Sequence, residues 1–104
     1  MDRKTISKVK KLFKKLEKNI KIEKAFVFGS RVKGNFLEYS DLDLIVISKD
    51  FEGKDFFERT KYFYKNWDWE IPLEVFCYTP SEFEKKKRQV CLVKEALKEA
   101  KKIL

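Results

Sequence analysis

The first pattern of apolar and polar positions along the chain is that of an amphipathic helix. From Thr5 to about Ile20, apolar residues recur at steps of three and four, and lysines fill many of the positions between them. A period of about 3.6 residues gathers the apolar side chains on one face of a helix. These apolar positions are Ile6, Val9, Phe13, Leu16 and Ile20. We therefore predict a helix over 5–20.

Three short apolar segments are typical of strands. Lys24–Phe28 is compact, aromatic and β-branched, and it stops at Gly29, where a turn is expected. The segment 41–47 carries acids on one face of its first half, whereas its second half is apolar on both faces. A third strand is predicted from about Leu73 to Tyr78. All three have the length of buried strands in a small sheet.

Two further helices complete the predicted order of elements. Phe56, Phe57, Thr60, Phe63 and Trp67 fit one side of a helix that starts near Asp55. Ser81 with Glu84 has the spacing of a capping box for a last helix, whose apolar positions continue to Leu104. The order helix, strand, strand, helix, strand, helix predicts an α+β fold, with a small three-stranded sheet covered by helices in two layers.

Length and composition narrow the class of protein. A chain of 104 residues has the size of one domain, so we expect a single domain over 1–104. It has no apolar run of the roughly 20 residues that a membrane helix needs, and its first residues lack the apolar stretch of a secretory signal. We therefore expect a cytoplasmic protein. Cys77 and Cys91 stand far apart in a chain without histidine, which favours small core residues over a zinc site.

Asp41 and Asp43 are the first candidates for chemistry. On a strand they share one face and lie ~6.6 Å apart along it, at ~3.3 Å per residue. Magnesium is commonly held by one or two carboxylates while substrate phosphates complete its shell. Two such ions would polarise an α-phosphate, activate an attacking hydroxyl and neutralise the leaving pyrophosphate. The pair therefore indicates phosphoryl or nucleotidyl transfer.

The same chemistry requires a phosphate-binding segment opposite the acids. Gly29 permits close approach of a phosphate, and Ser30 offers a hydroxyl and backbone N–H groups. Arg31 and Lys33 could add positive charge. Glu74 stands in an otherwise apolar strand, so we expect a buried acid that needs a partner. A metal shared with the two aspartates would be that partner.

These residues resemble the signature of a known family. Gly29-Ser30-Arg31-Val32-Lys33-Gly34, followed by Ser40-Asp41-Leu42-Asp43-Leu44, is similar to the Gly-Ser-x-x-x-Gly and Ser-Asp-x-Asp-Leu signature of the DNA polymerase β-like nucleotidyltransferase superfamily. The shortest members, the minimal nucleotidyltransferases, resemble the chain over essentially its whole length, including the turn over 78–83 before the last helix. The resemblance implies the nucleotidyltransferase fold, with a mixed sheet.

The resemblance also implies roles for individual residues. Triphosphate binding falls to Gly29 and Ser30, and the metal-binding and catalytic roles fall to Asp41, Asp43 and Glu74. From their positions in and beside these motifs, we add Arg31, Lys33 and Ser40 as nucleotide-binding candidates. Two Mg²⁺ ions and ATP are the expected cofactor and substrate. The family usually has Asp where this chain has Glu74, and the longer side chain shifts the carboxylate by about one C–C bond, ~1.5 Å.

Members of this type commonly accompany a helical HEPN-domain toxin. The resemblance implies an antitoxin that transfers AMP from ATP to a hydroxyl, a tyrosine of that toxin. Little chain remains to build a pocket for a small substrate, so we expect the second wall of the site to come from another protein or a second copy.

Several alternatives stay open from the residues alone. Gly29-Ser30 without the acids would be only a strand-ending turn, and Glu74 could equally lie on an exposed strand face, paired with a lysine. A module that neutralises its partner by contact alone is a second hypothesis, because Glu74 departs from the family pattern. A third is a basic nucleic-acid-binding protein, since the net charge of +8 favours an anionic partner. Lys85 to Arg88, however, splay around a helix and favour a solvated face.

Overall fold

The structure, a computed structural model, describes residues 3–28, 41–88 and 101–102 of the chain. The elements in chain order are α1 Arg3–Leu16, β1 Lys24–Phe28, β2 Leu42–Ile47, a 3₁₀ turn Lys49–Phe51, α2 Phe56–Asn66, β3 Leu73–Tyr78, α3 Pro80–Arg88 and β4 Lys101–Lys102. The predicted order of helices and strands is therefore confirmed up to α3. None of the described helices is long and apolar enough to cross a membrane.

The strands form a mixed sheet in the order β3-β2-β1-β4. β1 pairs with β2 antiparallel, and β2 pairs with β3 parallel. The predicted three-stranded mixed sheet flanked by helices is confirmed by these strands. A fourth strand of two residues, β4, adds to it by pairing antiparallel with Phe26 and Val27 of β1.

The main core lies between one face of the sheet and the helices α1 and α2. The apolar side chains of α1 pack there because the three-and-four spacing gathers them on one stripe. α2 contributes Phe63, which is fully buried, and its ring lies 6.4 Å from that of Phe51. The sheet contributes its alternate residues Ala25, Val27, Leu42, Leu44, Val46, Val75 and Cys77. The predicted core role of Cys77 is confirmed, whereas Cys91 lies outside the described residues.

A smaller cluster covers the other face of the sheet beneath α3. Phe83 of α3 stacks on Phe26 of β1 with ring centroids 5.8 Å apart, and it also packs against Ile45 and Ile47. Phe76 and Tyr78 of β3 complete this cluster. Among the described residues, this face of the sheet is covered only over the half that lies next to α3.

The helix starts follow local capping chemistry. The Asp55 carboxylate accepts a hydrogen bond from the Glu58 N–H, and the Glu58 carboxylate accepts one from Asp55, which makes the expected start of α2 a capping box. The predicted Ser81–Glu84 box is wrong. Thr79 and Glu82 exchange the two bonds instead, at 2.9 and 3.2 Å. The helix starts earlier because Pro80 suits its first position.

Three expectations from periodicity are corrected by packing. Phe56 and Phe57 are 64% and 70% exposed, because spacing selects a side of α2 but cannot say how far the core extends along it. α1 ends at Leu16, and Ile20 is buried beyond it. The last helix was predicted to continue to Leu104, yet Lys101 and Lys102 form β4, because pairing with β1 overrides the helical spacing.

β3 is an edge strand whose outward backbone groups are met by side chains of α2. The carbonyls of Pro72 and Tyr78 accept hydrogen bonds from Leu42 and Ser48 and so point towards β2. Alternation turns Val75 and Cys77 outward. The Val75 N–H donates to the Tyr64 hydroxyl at 3.2 Å, and the Cys77 carbonyl accepts from Arg59 Nη1 at 3.1 Å.

Candidate active site

The two aspartates lie where β2 begins. Asp41 is the exposed residue just before the strand, and Asp43 is half-buried as its second residue. Strand alternation places Asp43 on the same face as Ile45 and Ile47, at the end of the sheet that lies beyond the cover of α3. The pair is therefore carried by the central strand, with one carboxylate open to solvent and the other partly desolvated.

The strand register brings three chain segments together at Asp43. On one side its Cα partner is Phe28, the last residue of β1, and on the other side its partner is Glu74 of β3. The parallel pairing of β2 with β3 thus brings an acid distant in sequence next to the aspartates. The expected proximity of Glu74 to the pair agrees with this placement.

The expectation that Glu74 is buried is wrong. Glu74 is exposed, because it lies near the start of an edge strand and beyond the part of the sheet that α3 covers. The alternative interpretation, that Glu74 lies on an exposed strand face, agrees with its exposure in the structure. No described lysine or arginine forms the expected ion pair with it.

The electrostatics of this corner come from crowded negative charge. Burial raises the pKa of the Asp43 carboxyl above its usual value, and the charges of Glu74 and Asp41 raise it further. Each effect disfavours the ionised carboxylate. A cation or a cationic group at this point would remove that penalty, so the corner suits a positively charged ligand.

The donor set fits a hard cation that arrives with a phosphate ligand. All three side chains offer carboxylate oxygens, the ligands that Mg²⁺ prefers. Among the described residues, no three acidic, cysteine or histidine side chains converge closely enough to hold a metal alone. Because Mg²⁺ is commonly held by one or two carboxylates with phosphates and water, Asp41 and Asp43 would suffice when a triphosphate completes the shell.

The predicted phosphate-binding residues lie outside the described part of the chain. These residues are Gly29, Ser30, Arg31, Lys33 and Ser40. The two described residues that flank this segment, Phe28 and Asp41, both lie next to Asp43, one as its strand partner and one two residues before it. Both described residues that flank this segment therefore lie at the corner that carries the acids.

The opposite end of β3 holds a polar network that the sequence did not reveal. The Arg59 guanidinium donates to both Glu82 carboxylate oxygens, at 2.6 and 3.1 Å, and Nε donates to the Lys54 carbonyl at 2.7 Å. Mainly because of Arg59, the pKa of Glu82 falls to about 2. A cavity of about 380 Å³ lies beside this network and is lined by neither the aspartates nor Glu74.

With this geometry in place, comparison with known proteins defines the class. A nucleotidyltransferase domain model matches residues 6–104, so the chain belongs to the nucleotidyltransferase domain family. A presumed nucleotidyltransferase from Sulfolobus solfataricus is similar in structure, with a TM-score of 0.60 and 20% identity over 77% of this chain and 71% of that one. A toxin-antitoxin complex with AMP-PNP is also similar, with a TM-score of 0.67 and 19% identity over 95% of this chain and 72% of that one. A search of curated proteins found no match.

Proposed function

We propose that this nucleotidyltransferase binds Mg-ATP at the corner formed by Asp41, Asp43 and Glu74 and transfers AMP to a hydroxyl of a partner protein. The observation that carries the proposal is the register that places Asp43 between Phe28 and Glu74. Among the described residues, this arrangement gathers negative charge next to Phe28, and Gly29 and Ser30 follow Phe28 in the chain. A metal-bound triphosphate would offset that charge.

The transfer would proceed by in-line displacement at the α-phosphorus. The acceptor oxygen forms a bond to the α-phosphorus while the bond from the α-phosphorus to the α,β-bridging oxygen breaks. Pyrophosphate leaves with the electron pair of that bond. Asp41 and Asp43 would hold magnesium, which would neutralise charge on the phosphates. Glu74, which is exposed and is the strand partner of Asp43, would accept the proton of the attacking hydroxyl. Gly29 and Ser30 hold the β- and γ-phosphates.

For the acceptor, we propose a tyrosine of a HEPN-type toxin, which would make the chain an antitoxin. Support comes from the resemblance to minimal nucleotidyltransferases and from the structural similarity to a toxin-antitoxin complex with AMP-PNP. The described cavity at the other end of β3 is not part of the acidic corner. A partner surface would therefore supply the acceptor and the second wall of the site.

A second candidate is an antitoxin that acts by contact without transferring AMP. The exposure of Glu74 favours it, because an exposed carboxylate on a longer side chain is held less firmly than the catalytic groups of an efficient enzyme. This candidate predicts toxin neutralisation that survives the loss of Asp43, whereas the enzyme predicts that neutralisation needs it.

The nucleotide site is tested by isothermal titration with ATP in the presence and absence of Mg²⁺. We expect magnesium-dependent binding by the wild-type protein and at least a ~100-fold loss in Asp43→Asn, in line with removal of a charged metal ligand. Glu52→Gln is the matched control, because it removes an exposed acid from the loop beyond the other end of β2. Equal binding by all three proteins would exclude the site.

Transfer itself is tested by incubating the protein with α-³²P-labelled ATP, Mg²⁺ and a co-encoded HEPN-type protein. Label should enter that protein, and a tyrosine-to-phenylalanine change at the labelled position should abolish the signal. Neutralisation of the toxin by Asp43→Asn, without label, would instead support the contact-only antitoxin.

A further inference from the structure

The net positive charge of the protein is concentrated in a single helix. α1, Arg3–Leu16, contains seven lysines and arginines and no acidic residue. Since the whole chain has 25 basic and 17 acidic residues, the remaining 90 residues carry 18 and 17 and are almost neutral. Almost all of the net charge of +8 therefore comes from α1. Elsewhere in the chain, acidic residues nearly balance the basic ones.

This concentration is unfavourable for the helix itself. Cations three and four residues apart repel each other, and the basic residues Arg3 and Lys4 at its first turn oppose the helix dipole. The apolar stripe of α1 needs only polar residues on the solvent side, and glutamates would have balanced the lysines. Core packing thus explains the apolar positions of α1 but does not explain why its solvent face carries seven basic residues and no acid.

Four of these lysines form one row along the helix. Lys8, Lys11 and Lys15 approach the single carboxylate of Asp68 at 3.9, 3.2 and 3.2 Å, and Lys4 lies 5.7 Å from the centre of the Trp69 ring. The spacing of three and four residues places neighbours about 4.5–6 Å apart along the axis. One carboxylate among three ammonium groups leaves positive charge unbalanced at this point.

We propose that this lysine row, Lys4, Lys8, Lys11 and Lys15, binds the phosphate backbone of a single-stranded nucleic acid. A continuous row of cations matches a polymer with one charge per nucleotide better than it matches the mixed charges of a protein surface. The half-buried Trp69 ring, which also packs against the core, lies beside the row at Lys4, and aromatic rings are the usual companions of cations in single-strand binding. The inference goes beyond the proposed nucleotidyl transfer and does not depend on it.

The row also has a defined place in the fold. Asp68 and Trp69 belong to the loop over 67–72, which enters β3 just before Glu74. The row therefore runs beside the loop that leads to the acidic corner, on the face of the sheet covered by α1 and α2. The basic cluster Lys85 to Arg88 of α3 differs, because Glu82 and Glu84 accompany it on the same short helix.

The test is fluorescence anisotropy of a labelled oligouridylate of about 16 nucleotides, within the range of single-strand site sizes. Lys8→Gln/Lys11→Gln/Lys15→Gln should bind about 10- to 100-fold more weakly at 0.1 M salt, and the salt slope should fall by about 2. Lys61→Gln/Lys65→Gln/Lys85→Gln removes the same charge from exposed positions on α2 and α3 and should change binding less than about twofold.

Two results would overturn the proposal. Equal weakening in both triple variants would mean that net charge alone drives binding, and displacement of the oligonucleotide by polyglutamate at equal charge would mean that any acidic polymer suffices. Lys8→Arg/Lys11→Arg/Lys15→Arg should restore binding, which separates the role of charge from any effect on folding. Circular dichroism of every variant checks that α1 stays helical.

Discussion

Among the described residues, β3 meets a paired acid and base at its C-terminal end, whereas near its N-terminal end Glu74 lies beside another acid, Asp43. Arg59 and Glu82 form a bidentate pair at the first, and Glu82 also caps α3 through Thr79. Asp43 and Glu74 lie side by side at the second, and burial with neighbouring acids raises the pKa of Asp43. Charged groups that stabilise a fold are usually paired with opposite charges, whereas neighbouring like charges are typical of ligand-binding sites.

The largest effect on stability should come from breaking the balanced end. Arg59→Ala removes the guanidinium that donates to the Cys77 carbonyl and to both Glu82 carboxylate oxygens, and we expect a loss of about 2 kcal/mol in the free energy of unfolding. Urea denaturation measures it. Lys65→Ala, an exposed cation of the same helix, is the control and should change stability by less than about 0.5 kcal/mol. Similar losses in both variants would contradict a structural role for this pair.

A smaller effect should appear as a pH dependence of stability. The pKa of Glu82 is about 2 in the folded protein, below its usual 4.5, so its charge stabilises the fold above about pH 4.5 and loses that effect as the pH falls towards 2. Glu82→Gln should be less stable by about 1 kcal/mol at pH 7, after allowance for its partial exposure. The difference from wild type should vanish near pH 2. If the stability difference between Glu82→Gln and wild type does not change with pH, the charge of Glu82 does not contribute to the stability of the fold.

The smallest effect, and the one of opposite sign, is expected at the acidic end. The raised pKa of Asp43 means that its ionised form costs stability in the folded protein, so Asp43→Asn should be slightly more stable at pH 7, by less than about 1 kcal/mol. The gain should disappear as the pH falls below the usual value of 3.8, where the wild-type group is protonated as well. Thermal melts at both pH values measure it. A destabilised Asp43→Asn would make this aspartate a structural residue.

Local patterns predicted the parts of the fold that local physics decides. The helix start near Asp55 and the strand over 41–47 depend on neighbours in sequence, and the structure has these elements begin at Phe56 and Leu42. The predicted cap of α3, Ser81, lies two residues after the observed cap, Thr79. Both residues carry a hydroxyl, and only Pro80 between them distinguishes their positions. Sequence spacing alone therefore recovered every main element but not every boundary.

What sequence could not give was the result of contacts between distant segments. The exposure of Glu74 depends on how far α3 reaches across the sheet, and the Arg59–Glu82 pair joins residues 23 apart. Neither the exposure of Glu74 nor the pairing of Arg59 with Glu82 can be inferred from a local pattern in the sequence. The lysine row of α1 was visible in the sequence as filler of a helix, and only a comparison of charge between α1 and the rest of the chain singles it out.

The covered edge of β3 has a consequence for how the protein can associate. A strand from another molecule would have to displace both the Tyr64 hydroxyl and the Arg59 guanidinium before it could pair with Val75 and Cys77. Exposed edges otherwise recruit further strands and lead to aggregation. The side chains of α2 therefore oppose edge-to-edge pairing of this protein along β3. A partner that binds at this edge would contact side chains and not the strand backbone.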